Sequence, residues 1–295
     1  MGRFRRGAAI LCMVLAPAAA FAQDNVFSSN GIEIRYREQG TGDPIVLVHG
    51  RGLTLESWVD SGVLPILARN YRVIALDLRG HGRSGKPHDS KQYGVEMGLD
   101  ILRLLDHLGI ARAHIVGYSM GANIVSQLLT THPERFLTAI LGGSAGRFRW
   151  TAENDQSFEQ EAVETERWGF SPSMQLLIAP PNTPRLTEEE IRRRSAVALA
   201  DTSQDRHAVA GMVRSFRSQV ITPAQVSSVR VPTMGIAGSA DPLLLDLQDL
   251  KKLRPALNLV VIDGATHGGE RGARGRPEFV AAIREFITSH GQTSR

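Results

Sequence analysis

Cysteine is all but missing from this chain of 295 residues: Cys12 is the only one. It lies in an N-terminal stretch that reads as a removable export signal. The mature chain would then have no disulfide, no thiol nucleophile and no thiolate metal site. Net charge is also scarce. The formal value is +4, but Arg3, Arg5 and Arg6 supply three of the 34 basic residues, and residues 1–22 hold no acid. Without that stretch, 31 basic residues face 30 acidic ones, so a basic nucleic-acid surface is excluded. His88, His107, His114, His132 and His207 show no metal-ligand spacing. The glycines at 80, 82 and 85 do not open a helix after a strand, which leaves no phosphate loop or dinucleotide fingerprint. Low-complexity tracts and internal repeats are absent. No metal and no organic cofactor is therefore expected.

What is present is ordinary globular composition, 42% hydrophobic and 22% charged. The length suits one large α/β domain with an insertion, or two small domains. Residues 1–22 have the parts of a signal peptide. Arg3, Arg5 and Arg6 form the charged start, Ala8 to Ala16 the apolar centre, and Ala20-Phe21-Ala22 the cleavage site. The apolar run is short of the ~20 residues that span a bilayer. The expectation is export by the general route to the periplasm or the exterior, with no stable membrane anchor once the signal is removed. The alternative is a retained anchor.

Alternation of apolar runs and helical periodicity organises the rest. Val26 to Glu38 reads as a hairpin turning at Asn30-Gly31. Ile45 to Val48 and Tyr71 to Leu76 read as strands, with a helix from Trp58 to Leu67 between them. Val95 to Leu108 carries apolar residues at helical spacing and stops at Gly109. Strands follow at 114–116 and 138–141, around a helix at 120–131. Strands at Val231 to Ala237 and Asn258 to Ile262, a helix from about Leu245 and a last helix from Pro277 to His290 close the pattern. Such alternation predicts an α/β fold, a mostly parallel central sheet flanked by helices. Residues 147–225 contain no convincing strand, and Thr187 opens a capping box. They are expected to be a helical lid inserted after the sixth strand. The expected division is a signal at 1–22, a core of 23–146 and 226–295, and the lid at 147–225.

Gly117-Tyr118-Ser119-Met120-Gly121 lies between the strand at 114–116 and the helix at 120–131. A serine between two glycines at that place reads as a nucleophile elbow, holding a hydroxyl at the strand's carboxyl end. The hydroxyl needs a base, and the base an orienting carboxylate. The expected chain order, serine then acid then histidine, leaves only His267 and His290. His267 follows a strand directly, whereas His290 sits in the polar tail, so His267 is the expected base. Asp241 follows the strand ending at Ala237 and is the expected acid. Its other reading is a helix N-cap before Pro242 at the first helical position. The backbone amides of Met120 and Arg51 are expected to face the oxyanion, with Gly52 as a second choice.

Together the His49-Gly50 loop, the run from Asp77 to Ser84 (D-x-R-G-x-G-x-S), the elbow and the placement of Asp241 and His267 resemble the α/β-hydrolase superfamily, in its lidded, single-domain branch. The resemblance covers nearly the whole mature chain. It implies that Asp77, Arg79 and Ser84 brace the active-site edge, and that His81 packs locally or lines the pocket mouth. Epoxide hydrolases and haloalkane dehalogenases of this fold carry aspartate at the elbow, where this chain has Ser119. Cofactor-free haloperoxidases usually have proline where Gly52 stands.

What the resemblance leaves is a serine hydrolase of small or medium carboxylic esters, carboxylesterase-like, lactones and thioesters included. A carbon–carbon or enol-lactone hydrolase of the same fold is the alternative, and a ligand-sensing module is the reading from another class. A small-molecule ester is the expected partner. Gly52, Tyr118, Trp150 and Trp168 are the expected pocket residues. Trp150 and Trp168, with Phe158, Phe170, Met174 and Phe216, either wall an apolar acyl pocket or form the lid's own core. The Arg51 side chain either attracts a substrate carboxylate or points to solvent. Arg192, Arg193 and Arg194 form a solvated helix face. Acyl and alcohol specificity and oligomeric state stay open.

Overall fold

The computed structural model describes residues 23–180, 182–201 and 204–290. The export signal expected at 1–22 lies outside them. Two antiparallel strands come first among the described residues, β1 (Gln23–Ser29) and β2 (Ile32–Gln39). Asn30 and Gly31 turn between them with φ of 50° and 82°, the backbone a two-residue hairpin turn demands. Then come β3 (Pro44–Val48), α1 (Glu56–Asp60), α2 (Val63–Leu67), β4 (Arg72–Leu76), α3 (Val95–His107), β5 (Ala113–Tyr118), α4 (Met120–Thr131) and β6 (Phe136–Gly142). Five helices follow: α5 (Ala152–Trp168), α6 (Pro172–Leu177), α7 (Glu188–Ala200), α8 (Arg206–Arg214) and α9 (Pro223–Ser228). The chain closes with β7 (Thr233–Gly238), α10 (Leu244–Leu253), β8 (Asn258–Ile262) and α11 (Pro277–His290).

The eight strands form one sheet in the order β1-β2-β4-β3-β5-β6-β7-β8. Pairing is antiparallel through β2 and parallel from β4 onward. Ile45 to Val48 and Val73 to Leu76 are fully buried, as strands covered on both faces must be. Apolar residues of α3, α4 and α10 cover one face; α1, α2 and α11 cover the other. Among the described residues no helix is long and apolar enough to cross a membrane.

Two expectations shift. The helix expected from Trp58 to Leu67 is two short ones, because Gly62 between them takes φ of 76°, a conformation that interrupts a right-handed helix. Pro65 lies in the first turn of α2, where its missing N–H has no intrahelical acceptor to lose. The expected boundary at 225 falls inside α9.

The loop after β4 is a buried polar brace. Asp77 accepts hydrogen bonds from the Leu55 amide (2.7 Å), the Arg83 amide (2.9 Å) and the Arg35 guanidinium (3.0 Å). Ser84 Oγ donates to the Asp77 carbonyl and accepts from the Arg35 amide. Arg79 forks onto both oxygens of Asp100 at 2.6 Å. A Cβ on Gly82, at φ of 53°, would collide with the Asp77 carboxylate, so the motif's glycine is a packing requirement.

His49 and His81 are both fully buried, ring centroids 5.1 Å apart. His49 Nδ1–H donates to the Gly50 carbonyl and Nε2 accepts from the Leu78 amide. Burial pushes His49 down to about 4, and burial with His49 beside it pushes His81 down to about 3. Above pH ~6.5 both are neutral, folded or unfolded. Below it the unfolded chain takes up protons that the folded chain refuses, so stability falls as pH falls from ~6.5 towards those folded values. The slope is about 1 kcal/mol per pH unit for each histidine. The melting temperature is therefore expected to drop between pH 7 and pH 5, and to drop less in His81→Gln. Thermal melts of both at the two pH values check this; equal drops would refute it.

Candidate active site

Ser119 separates β5 from α4 and takes φ of 56° and ψ of −119°, costly backbone for any residue but glycine. Its amide donates to the Gly142 carbonyl of β6 at 2.7 Å. The flanking glycines make the turn possible. A Cβ on Gly117 would run into the Gly121 carbonyl, and one on Gly121 into the Val48 carbonyl. The serine is thereby held next to the β3 loop: a Cβ built on Gly50 would lie 3.2 Å from that of Ser119.

His267 follows β8 and Asp241 follows β7, so neighbouring strands deliver both to the same sheet edge. His267 Nε2 lies 2.9 Å from Ser119 Oγ, and Nδ1 lies 2.9 Å from Asp241 Oδ2. Asp241 and His267 are 4% and 6% exposed, so water competes little for these bonds. The other Asp241 oxygen accepts from the Leu243 amide at 2.9 Å. The carboxylate thus serves the turn before α10 and the imidazole together, but the N-cap reading fails: α10 starts at Leu244 with Leu243 as its N-cap, so Pro242 lies outside the helix. An ionised Asp241 favours the proton on Nδ1, which turns the Nε2 lone pair to the Ser119 hydroxyl.

Two supports escaped the sequence reading. Tyr118 donates its hydroxyl to the His267 carbonyl at 2.7 Å, with ring centroids 5.5 Å apart. Burial and the Asp241 charge push that phenol above its ordinary range, so it stays a donor. Gly143, at φ of 60°, leaves room for the imidazole: a Cβ there would sit 3.1 Å from His267 Cε1. The Gly142-Gly143 pair at a strand end was the available signal.

Met120 is the first residue of α4, where an amide has no intrahelical acceptor. Arg51 and Gly52 sit in the β3 loop and line the cavity that holds Ser119 and His267. That cavity measures about 760 Å³. Gly52 and Tyr118 border it as expected, whereas Trp150 and Trp168 do not. Trp150 stacks on Phe158 with centroids 5.1 Å apart and donates to Asp155, while Trp168 lies under the Arg167 guanidinium. Phe158 and Phe216 meet edge to face within the core. The apolar wall is instead Leu53, Phe170, Met174, Ile178 and Val209.

Arg51 does neither thing expected of it. Its guanidinium pairs with Glu161 of α5, both side chains largely buried. Burial lowers Arg51 to about 10, so it remains charged at neutral pH. His81 is buried against His49 and away from the cavity. Arg192, Arg193 and Arg194 are exposed on α7. Among the described residues no group of three His, Cys, Asp or Glu side chains is placed to hold a metal ion.

A doubly covered, mostly parallel sheet with a serine on the turn after its fifth strand defines the class of protein. Residues 43–269 match the family described as alpha/beta hydrolase fold, and the chain belongs to that family of enzymes. A 2-hydroxy-6-oxo-2,4-heptadienoate hydrolase from Pseudomonas putida is 31% identical over 201 residues, 67% of each chain. A non-heme haloperoxidase from Rhodococcus erythropolis is 39% identical over 157 residues, 49% of this chain and 56% of that one. The chain spans about half the length of several curated relatives it matches. A structure described among the carboxylesterases of Nitrososphaera gargenis superposes with a TM-score of 0.72 at 20% identity, covering 91% of this chain and 99% of that one. At that identity the likeness is one of fold.

Proposed function

We propose that this hydrolase cleaves carboxylic esters of small or medium substrates through an acyl-enzyme intermediate. The observation that carries the reading is the unbroken series Ser119–His267–Asp241, opening on an apolar-walled cavity. In the proposed cycle His267 Nε2 takes the Ser119 proton as Oγ attacks the ester carbonyl. Asp241 stabilises the imidazolium without becoming protonated. The Met120 and Arg51 amides bind the oxyanion. His267 then passes its proton to the leaving alcohol. Water repeats the sequence and releases the acid. The helices between β6 and β7 act as the lid, and the protein works in the periplasm or outside the cell.

A fluorophosphonate probe tests the nucleophile. It is expected to add one adduct, on the peptide carrying Ser119, in competition with p-nitrophenyl butyrate. Adduct elsewhere, or none, would sink the reading. A second reading, carbon–carbon hydrolysis, is favoured by the similarity to the heptadienoate hydrolase. Turnover of a dienoate by a protein inert to p-nitrophenyl esters would establish it instead.

A further inference from the structure

The cavity wall beside His267 contains an arginine that nothing above uses. Arg274 lies on the segment between His267 and α11 and borders the cavity together with Ser57 and Ser61 of the α1 region. Its guanidinium carbon is 5.5 Å from the ring centroids of both Trp58 and Tyr118, within range of a cation–π attraction to each. Nε and Nη1 are buried, and no protein acceptor reaches either.

Arg51 Nη1 and Arg276 Nε also lack a hydrogen bond, but each of those guanidinium groups has an ion partner, Glu161 and Glu278. Other buried arginines are answered as well. Arg35 meets Asp24, Glu56 and Asp77. Arg79 meets Asp100, and Arg51 meets Glu161. Arg147 donates to Gln219 and lies on Phe216. Asp60 also borders the cavity and its charge acts on Arg274, but it is exposed and no ion pair joins the two. A buried donor left unmet is costly, and a guanidinium stays charged at any working pH. Nε and Nη1 are closed to solvent, which leaves Nη2 as the guanidinium nitrogen to meet a ligand. A cation that borders a ligand cavity with no ion-paired protein carboxylate suits a substrate carboxylate.

We propose that Arg274 binds a carboxylate of the substrate, so that the preferred esters carry a free carboxylate a few bonds from the scissile carbonyl. This rests on the esterase reading for its chemistry but not for its binding. Tyr118 relates the two groups, since its ring centroid lies 5.5 Å from the His267 ring and 5.5 Å from the Arg274 guanidinium carbon.

The test compares two six-carbon esters, the p-nitrophenyl monoester of adipic acid and p-nitrophenyl hexanoate, in wild type and R274Q. The wild type is expected to favour the anionic ester. The ratio of the two kcat/KM values is expected to fall about tenfold or more in R274Q, mostly through KM, and by less in R274K, which keeps charge but loses the fork. Calorimetry with adipate alone gives a readout independent of turnover: Kd is expected to rise about tenfold or more in R274Q. Ser119-dependent turnover with the same ratio in wild type and R274Q overturns the Arg274 inference alone. Absent turnover with adipate binding that depends on Arg274 overturns the esterase reading alone. Should R274Q fail to fold, wild-type binding of adipate against 1,6-hexanediol decides, and equal affinity overturns the inference.

Discussion

Ser119→Ala is expected to lower kcat for p-nitrophenyl butyrate by about 10⁴-fold or more, leaving only what binding and oxyanion donors supply. The substitution removes one oxygen. The Ser119 side chain caps no amide of α4, and the 2.7 Å bond to the Gly142 carbonyl comes from the backbone. Alanine meets the same backbone demand at φ of 56°, so stability should change little. The melting temperature separates a chemical loss from an unfolded protein. A folded variant that keeps wild-type rates would show that the nucleophile lies elsewhere.

Asp100→Ala is expected to cost about 3–5 kcal/mol, the usual result of stranding one member of a buried ion pair. Asp100 is fully buried and Arg79 is 1% exposed. The variant leaves Arg79 with the Gln92 carbonyl as its hydrogen-bond acceptor and the partly exposed Glu96, 3.8 Å away, as its remaining anion, and it strands the Ser29 hydroxyl that donates to Asp100. At roughly 2–4 °C per kcal/mol, the melting temperature should fall by about 10 °C. Replacing both partners with apolar residues of similar volume (R79M with D100L) should recover most of it, because no lone charge stays behind. A single variant losing less than about 1 kcal/mol would place Arg79 among the weakly held surface charges. Urea unfolding of all three proteins measures this.

Much of the core could be read from the chain because its signals are local. The helix at 120–131 matches α4 residue for residue, since strand run, Gly-x-Ser-x-Gly turn and apolar period agree there. Strands β3 to β8 announce themselves as short apolar runs, and the order of strands along the edge brings residues 119, 241 and 267 within hydrogen-bond distance. The cavity wall was not legible. The buried residues of α5 are Glu161, Ala162 and Thr165, so apolar periodicity could not show which face it turns inward. Arg51 finds its partner 110 positions away, in a helix whose packing no local rule sets. Trp150 and Trp168 looked like pocket walls from size alone, yet each is engaged within its own neighbourhood.

The Arg51–Glu161 pair joins the loop beside the nucleophile to the first helix of the segment above it. A chimera that exchanges residues 152–228 for those of another member of the family would leave a cation stranded at position 51, unless the graft brings an acid to the place of Glu161. Selectivity and rate in this scaffold are therefore not separable modules: a transplanted segment must be chosen with residue 51 redesigned alongside it.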